Sequence, residues 1–167
     1  DESLSSGSGL HSLLKREDPK SFFGLHGGGI GWALPGALGV KLALKDRPVV
    51  ALIGDGGVMY TNQALWTAAH YNLGVVVVII NNLGYRILKQ RTYALKGISA
   101  QTGRYVGMDL DIPRIDFIRM AQALGVPGER VEKAAEIGPA LLRALARGGP
   151  NLIDVAVDGA FLPQDGR

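Results

Sequence analysis

The feature that most limits the fold of this chain is a pair of apolar runs without alternating polar residues. The first run covers residues 49–53 and the second covers residues 75–80. Such runs of Val, Ile and Leu are typical of strands that are buried on both faces, as in a parallel sheet. Residues 61–71 between them have the length of a crossover helix. The sequence therefore predicts a βαβ unit with two parallel, neighbouring strands.

Further elements flank this unit on both sides. Hydrophobic spacing predicts helices over residues 32–44, 115–124 and 134–147, and strands near residues 21–23, 126–131 and 151–157. The alternation of strands and helices indicates an α/β class, with a doubly wound parallel sheet and helices on both faces. Residues 1–9 are acidic and rich in Ser and Gly, which is the composition of a flexible tail.

Composition excludes several classes of protein. The 167 residues, 47% of them hydrophobic, suit one globular domain with a substantial core. The chain has no cysteine, which rules out disulfides and thiolate metal sites. Basic residues are scattered and the formal net charge is only +3, which argues against a nucleic-acid partner. Its apolar runs are far shorter than the ~20 residues of a membrane span. We therefore expect a cytoplasmic protein without a membrane partner.

Glycines and polar residues directly follow both buried strands. Asp55 is next to Gly56 and Gly57 after the first strand, and Asn82 follows the second. Because neighbouring parallel strands end at the same edge of a sheet, the carboxylate and the amide should converge. Glycines let backbone N–H groups approach a phosphate, and oxygen ligands are those that Mg²⁺ prefers. The pattern predicts a diphosphate held through a metal, with the Gly84 carbonyl as a third candidate ligand.

Each half of this pattern is weak when taken alone, since Gly-Asp-Gly and Asn-Asn both occur in ordinary turns. The specific signal is their placement at the ends of two strands joined by one crossover, with 24 residues between Gly56 and Asn81. Residues 96–112 form a long segment with little periodicity and three glycines, which is typical of a lid over a site.

The same segments resemble the pyrophosphate-binding domain of thiamine diphosphate-dependent enzymes. The resemblance is carried by residues 54–56, by Asn81 and Asn82 at their spacing, and by the glycine-rich residues 24–31. It covers nearly the whole chain. Residues 31–35, 64–72 and 115–117 resemble benzoylformate decarboxylase and related 2-oxo acid decarboxylases, whereas residues 83–88 are closer to acetolactate synthase-like members.

The resemblance implies a set of residues that bind the diphosphate and its metal. Asp55, the Asn82 side chain and the Gly84 carbonyl would bind Mg²⁺ or Ca²⁺. The residues that would lie against the diphosphate are Gly56, Gly57 and Tyr85. The resemblance implies that residues 2–7 are the polar loop that follows the domain's first strand. This interpretation contradicts the flexible tail that composition predicts for the same residues.

The glycine-rich segment would meet the other end of the cofactor. The resemblance implies that the Gly28 carbonyl accepts a hydrogen bond from the cofactor's amino group. Ile30 would be the apolar wedge that holds the cofactor in its bent form. His26 is the local candidate for proton transfer, since histidine titrates near neutral pH, and a packed histidine is the alternative.

The resemblance also implies partners. The glutamate that activates the cofactor belongs to a pyrimidine-binding domain, on the same or a second chain, and no stretch of residues 1–167 supplies it. We therefore expect residues 1–167 to be a C-terminal fragment that lacks this domain and its own first strand. A homodimer or homotetramer and a small 2-oxo acid substrate are further expectations.

Three functions remain open at this point. The first is non-oxidative decarboxylation of a benzoylformate-like 2-oxo acid, with this chain supplying the diphosphate and metal half-site. The second is carboligation of the acetolactate synthase type. The third, from another class, is a non-catalytic α/β module that binds a phosphate ligand.

Overall fold

The centre of the fold is a four-stranded sheet whose strands are all parallel. In the computed structural model, which describes residues 1–15, 18–25 and 27–160, the strands lie in the order β1-β2-β4-β3. They are β1 (Val49–Gly54), β2 (Val75–Asn81), β3 (Gly128–Val131) and β4 (Asn151–Ala156). The predicted α/β class with a parallel sheet is confirmed, and β1 and β2 are neighbours as expected.

Helices cover both faces of the sheet. They are α1 (Ser8–Leu13), α2 (Ala33–Ala43), α3 (Asp55–Val58), α4 (Ala64–His70), α5 (Arg86–Ala94), α6 (Ile98–Thr102), α7 (Phe117–Ala123) and α8 (Ala134–Ala146). The predicted helices form within a few residues of their expected bounds. α3 and α6 were not predicted, because neither is long enough to show a helical hydrophobic period.

Two hydrophobic clusters explain why β2 is apolar over residues 75–80. Val75, Val77 and Ile79 point into a cluster with α2, α4 and α7. Val76 and Val78 point to the opposite face, where α8 supplies Ala140 and Ala144. Successive strand side chains alternate between faces, so residues 75–80 are apolar because both faces of β2 are covered.

The first residues of the chain are part of the fold, and the interpretation of residues 1–9 as a flexible tail is wrong. Glu2 is 4% exposed and forms a parallel bridge with Ile53. Its backbone N–H donates to the Leu52 carbonyl at 2.7 Å. The strand expected at residues 21–23 does not form, and the bridge to the outer edge of β1 is made by Glu2 instead.

Candidate functional site

Asp55 lies at the carboxyl edge of the sheet, where β1 ends and α3 begins. It is 1% exposed, and its Oδ2 accepts a hydrogen bond from the Gly84 N–H at 2.9 Å. Burial raises the pKa of the Asp55 carboxyl above its ordinary value, although the N–H groups of Gly84, Gly56 and Leu83 act in the opposite direction. No basic side chain of the described residues forms a salt bridge with Asp55. The carboxylate is therefore buried without a cation.

Asn82 follows β2 at the same edge and is 8% exposed. Its Nδ2 lies 3.4 Å from the Ser5 Oγ, which is a long hydrogen bond. Its Oδ1 is buried and has no hydrogen-bond partner among the described residues. A buried carbonyl oxygen without a partner costs about 1–3 kcal/mol, so this oxygen is poised to accept a ligand that is not part of the chain.

The turn after β2 brings a third segment to the site. Leu83 has a φ of +61°, and Gly84 forms an antiparallel bridge with Asp109. The Tyr85 N–H donates to the Met108 carbonyl at 2.9 Å, and the Leu110 N–H donates to the Leu83 carbonyl at the same distance. The segment predicted as a lid thus contains α6 and is tied at its end to the turn. Its closure over a site stays a prediction.

Contacts around the glycines show how closely this edge is packed. A Cβ on Gly56 would lie 2.4 Å from Cε1 of Tyr85, and a Cβ on Gly84 would lie 2.6 Å from the Met108 carbonyl oxygen. At Gly57, a Cβ would lie 3.0 Å from Cγ1 of Ile53. The structure thus brings Gly56 against Tyr85 and Gly84 against Asp55. The assignment of these residues to a diphosphate or a metal stays a prediction.

The glycine-rich segment is held beside α3 by long-range contacts. The Glu2 carboxylate accepts hydrogen bonds from the N–H of Gly31 and, at 2.6 Å, from that of Ala33. The Thr61 hydroxyl donates to the Gly31 carbonyl at 2.7 Å. The φ of Gly31 is +87°, and a Cβ there would lie 2.6 Å from the Cβ of Tyr60, so a glycine is required.

The remaining predicted residues lie in or next to this segment. Gly28 has a φ of +73°, and Ile30 is 40% exposed. Their roles as hydrogen-bond acceptor and apolar wedge stay predictions. His26, the candidate for proton transfer, lies outside the described residues.

Sequence reasoning missed a polar network next to the turn that follows β2. Asp154 in β4 is 1% exposed and lies beside Asn81 and Arg130. The Asn81 Nδ2 donates to Asp154 Oδ1 at 3.0 Å, and the Arg130 Nη1 donates to Asp154 Oδ2 at 2.6 Å. Asn81 Oδ1 accepts from the Leu83 N–H at 3.2 Å. The sequence did contain a signal for this network, because Asp154 is a single carboxylate among the apolar residues of β4. A buried charge requires a partner.

Two further observations limit the chemistry. Within residues 1–15, 18–25 and 27–160, there is no group of three or more His, Cys, Asp and Glu placed to hold a metal ion. A cation at Asp55 would therefore depend on neutral oxygens as well. None of the helices in these ranges combines the length and the apolar character needed to cross a membrane.

Comparison with known families gives a match over most of the chain. The model of the thiamine pyrophosphate enzyme C-terminal TPP binding domain matches residues 6–155. The chain belongs to this family. Thiamine pyrophosphate is the same molecule as the thiamine diphosphate named above, so the family resemblance is confirmed.

Relatives of the thiamine pyrophosphate enzyme family include both decarboxylases and acetolactate synthases. Benzoylformate decarboxylase of Pseudomonas aeruginosa is 34% identical over 92% of this chain and 28% of its own length. The acetolactate synthase isozyme 3 large subunit of Escherichia coli is 36% identical over 80% of this chain and 23% of its own length. The chain therefore spans about a quarter of the length of these relatives.

A solved structure from the same family has the same fold. It is the thiamine diphosphate-dependent 4-hydroxybenzoylformate decarboxylase of Rhodococcus jostii RHA1, with 40% identity and a TM-score of 0.73. The match covers 81% of this chain and 24% of that one. The parallel sheet with helices is thus the fold of this domain.

Proposed function

We propose that this chain supplies the metal and diphosphate half of a thiamine diphosphate site. The enzyme that contains it would decarboxylate a benzoylformate-like 2-oxo acid without oxidation. The observation that carries the proposal is a pair of buried oxygen groups at one sheet edge, one without a countercharge and the other without a hydrogen-bond donor. Asp55 is buried without a cation, and Asn82 Oδ1 is buried without a hydrogen-bond donor. A hard divalent cation would compensate both.

The donor set fits Mg²⁺ or Ca²⁺ better than a softer metal. Asp55 offers a carboxylate, Asn82 an amide oxygen and Gly84 a backbone carbonyl, and the chain has no cysteine. Mg²⁺ takes oxygen ligands in an octahedral arrangement and usually completes it with phosphate and water. Asp55, Asn82 and Gly84 would therefore hold the metal, and the diphosphate would fill positions that the protein leaves open.

Gly56, Gly57 and Tyr85 would contact the diphosphate. The close approach of Gly56 to the ring of Tyr85 supports this, since both would then belong to the wall of the same site. Gly28 and Ile30 would meet the aminopyrimidine end of the cofactor. When bound, thiamine diphosphate supplies the electron sink for the loss of CO₂, whereas these residues bind and orient it.

The rest of the catalytic machinery would come from other parts of the protein. We propose that a pyrimidine-binding domain of the same or a second chain provides the activating glutamate. Support comes from the relatives, because the chain spans only about a quarter of their length. A homodimer or homotetramer would place such domains together.

The test of the site is binding of thiamine diphosphate to the complete protein, measured by calorimetry with and without Mg²⁺. We expect Asp55→Ala to weaken Mg²⁺-dependent binding by roughly 100-fold, since it removes the only charged ligand. Asp46→Ala is the control, because Asp46 is an exposed aspartate in the turn before β1. Equal cofactor affinity in the Asp55→Ala and Asp46→Ala proteins would refute the metal assignment.

A second candidate function is carboligation, favoured by the Escherichia coli acetolactate synthase relative. After CO₂ is lost, a proton gives an aldehyde, whereas a second carbonyl compound gives a carboligation product. The complete protein should release an aldehyde from benzoylformate. Formation of acetolactate from pyruvate, without aldehyde release from either acid, would instead establish the carboligase.

A further inference from the structure

We propose that Arg130, Asp154 and Asn81 form a positioning network that holds the turn after β2 in its metal-binding shape. The proposal rests on the proposed function, because it concerns how the predicted ligands Asn82 and Gly84 are placed. None of the three side chains would touch the metal. Each would act through the next residue of the network.

The starting point is the order of the strands. β4 lies between β2 and β3, so Asp154 is opposite Ile79 on one side and Arg130 on the other. This places a buried carboxylate between an arginine and Asn81. Arg130 retains 29% side-chain exposure while the Asp154 side chain retains 2%, so the ion pair is open to solvent only at the arginine. The arginine thus supplies the countercharge that Asp154 requires.

The Asp154 carboxylate determines which way the Asn81 amide faces. An ionised carboxylate only accepts hydrogen bonds, so Asn81 must turn its NH₂ group towards Asp154. The amide oxygen then faces the Leu83 N–H, which donates to it at 3.2 Å. With the opposite orientation, two donor groups would face each other.

The Leu83 N–H lies at the centre of the turn that carries the candidate ligands. Leu83 has a φ of +61°, a conformation that costs about 1 kcal/mol or more in residues other than glycine. A hydrogen bond to its N–H stabilises this conformation. Because Asn82 precedes Leu83 and Gly84 follows it, the conformation of Leu83 sets the relative placement of both ligands.

The same turn reaches Asp55. The Gly84 N–H donates to Asp55 Oδ2, so a displaced turn would also remove a donor from the carboxylate. The network therefore connects a half-buried arginine on β3 to three candidate metal ligands that follow β1 and β2. Outer contacts of this kind typically change metal affinity by about 10–100-fold when they are removed.

The experiment measures Mn²⁺ affinity of the complete protein by electron paramagnetic resonance, in the presence of thiamine diphosphate. We expect Asp154→Asn to weaken Mn²⁺ binding about tenfold. Asparagine has a single carbonyl oxygen, so it satisfies either Arg130 or Asn81 but not both. We expect a similar loss for Asn81→Ala.

The matched control is Asn151→Ala. Asn151 is a buried amide at the opposite end of β4, where its Nδ2 donates to the carbonyls of Ala144 and Gly149. Its loss destabilises the same strand without touching the turn, so its Mn²⁺ affinity should stay within twofold of wild type. Equal weakening by Asp154→Asn and Asn151→Ala would overturn the proposal.

A double-mutant cycle separates positioning from general destabilisation. If Asp154 acts through Asn81, then Asp154→Asn has no further effect on Mn²⁺ affinity in an Asn81→Ala background. Additive losses would overturn the proposal, as would wild-type affinity of Asp154→Asn. Failure of the proposed function would give a different result. The wild-type protein would then show no Mn²⁺-dependent cofactor binding, or its cofactor affinity would equal that of the Asp55→Ala protein.

Discussion

Asp55, which directly follows β1, and Asp154 in β4 have the same 1% exposure, yet their surroundings are opposite. Asp154 has an arginine on one oxygen and an amide N–H on the other. Asp55 has backbone N–H donors and no cation. A buried carboxylate with a complete set of partners supports the structure, whereas one without a countercharge is the candidate to bind the proposed cation. The difference in partners, rather than burial, distinguishes the candidate ligand.

The largest effect on stability is expected when Asp154 loses its arginine and so, like Asp55, has no countercharge. Arg130→Ala removes the countercharge and should lower local stability around β4 by about 3 kcal/mol, because an unpaired buried charge remains. Arg143→Ala is the control, since the Arg143–Glu129 pair is largely exposed and contributes at most about 1 kcal/mol. Native-state hydrogen exchange of the β4 amides in the complete protein measures both values. Equal effects would show that Asp154 does not depend on its arginine.

A smaller effect on stability is expected when the backbone N–H of Gly84, which donates to Asp55, is displaced. Gly84→Ala places a Cβ 2.6 Å from the Met108 carbonyl oxygen, so the backbone must shift. We expect a loss of roughly 1–3 kcal/mol in stability, as in other overpacked sites, together with weaker Mg²⁺ binding. Gly97→Ala is the control, because no atom beyond its two chain neighbours lies within 4 Å of its Cβ position. Thermal unfolding and Mg²⁺ titration would show the loss in Gly84→Ala alone; unchanged melting and affinity would contradict it.

The pH dependence of Mg²⁺ binding tests the missing countercharge of Asp55. Burial raises its pKa, so without metal the native state binds the proton more tightly than the unfolded chain does. This contribution stabilises the metal-free protein at low pH and is lost as the pH rises through that pKa. Metal binding has the opposite dependence, because the ion must displace the proton.

The expected slope is tenfold in Mg²⁺ affinity per pH unit, about 1.4 kcal/mol, below the pKa of Asp55. Calorimetry over a pH series measures it. Asp154→Asn should keep this slope, since it leaves Asp55 intact, whereas Asp55→Asn should not show it. A pH-independent affinity in the wild type would mean that Asp55 is not the ligand.

The parts of the fold that could be predicted are those with a local hydrophobic pattern in the sequence. The apolar runs at β1 and β2 predict buried strands, and the residues that follow them predict that Asp55 and Asn82 lie at one edge of the sheet. The hydrogen bond from the Gly84 N–H to Asp55 was not predicted. α3 escaped prediction because it is four residues long and contains Gly56 and Gly57, which are poor helix formers.

Contacts between distant segments account for what was missed. The Glu2 carboxylate binds backbone N–H groups about thirty residues away, at Gly31 and Ala33. Such contacts leave no periodic signal in either segment. The Arg130–Asp154–Asn81 network depends on the strand order β1-β2-β4-β3, which places β4 between β2 and β3, and this order was not predicted.

The bridge between Gly84 and Asp109 has a consequence for how such a domain can diversify. Residues 86–107 leave the sheet edge and return to it at the same place, and neither α5 nor α6 contains a buried residue. Lengthening a closed loop costs little, about 0.6 kcal/mol for each doubling. Insertions and replacements in this excursion can therefore accumulate without displacing Asp55 or Asn82. The sheet edge that carries Asp55 and Asn82 can therefore be combined with many different surfaces of the segment between Gly84 and Asp109.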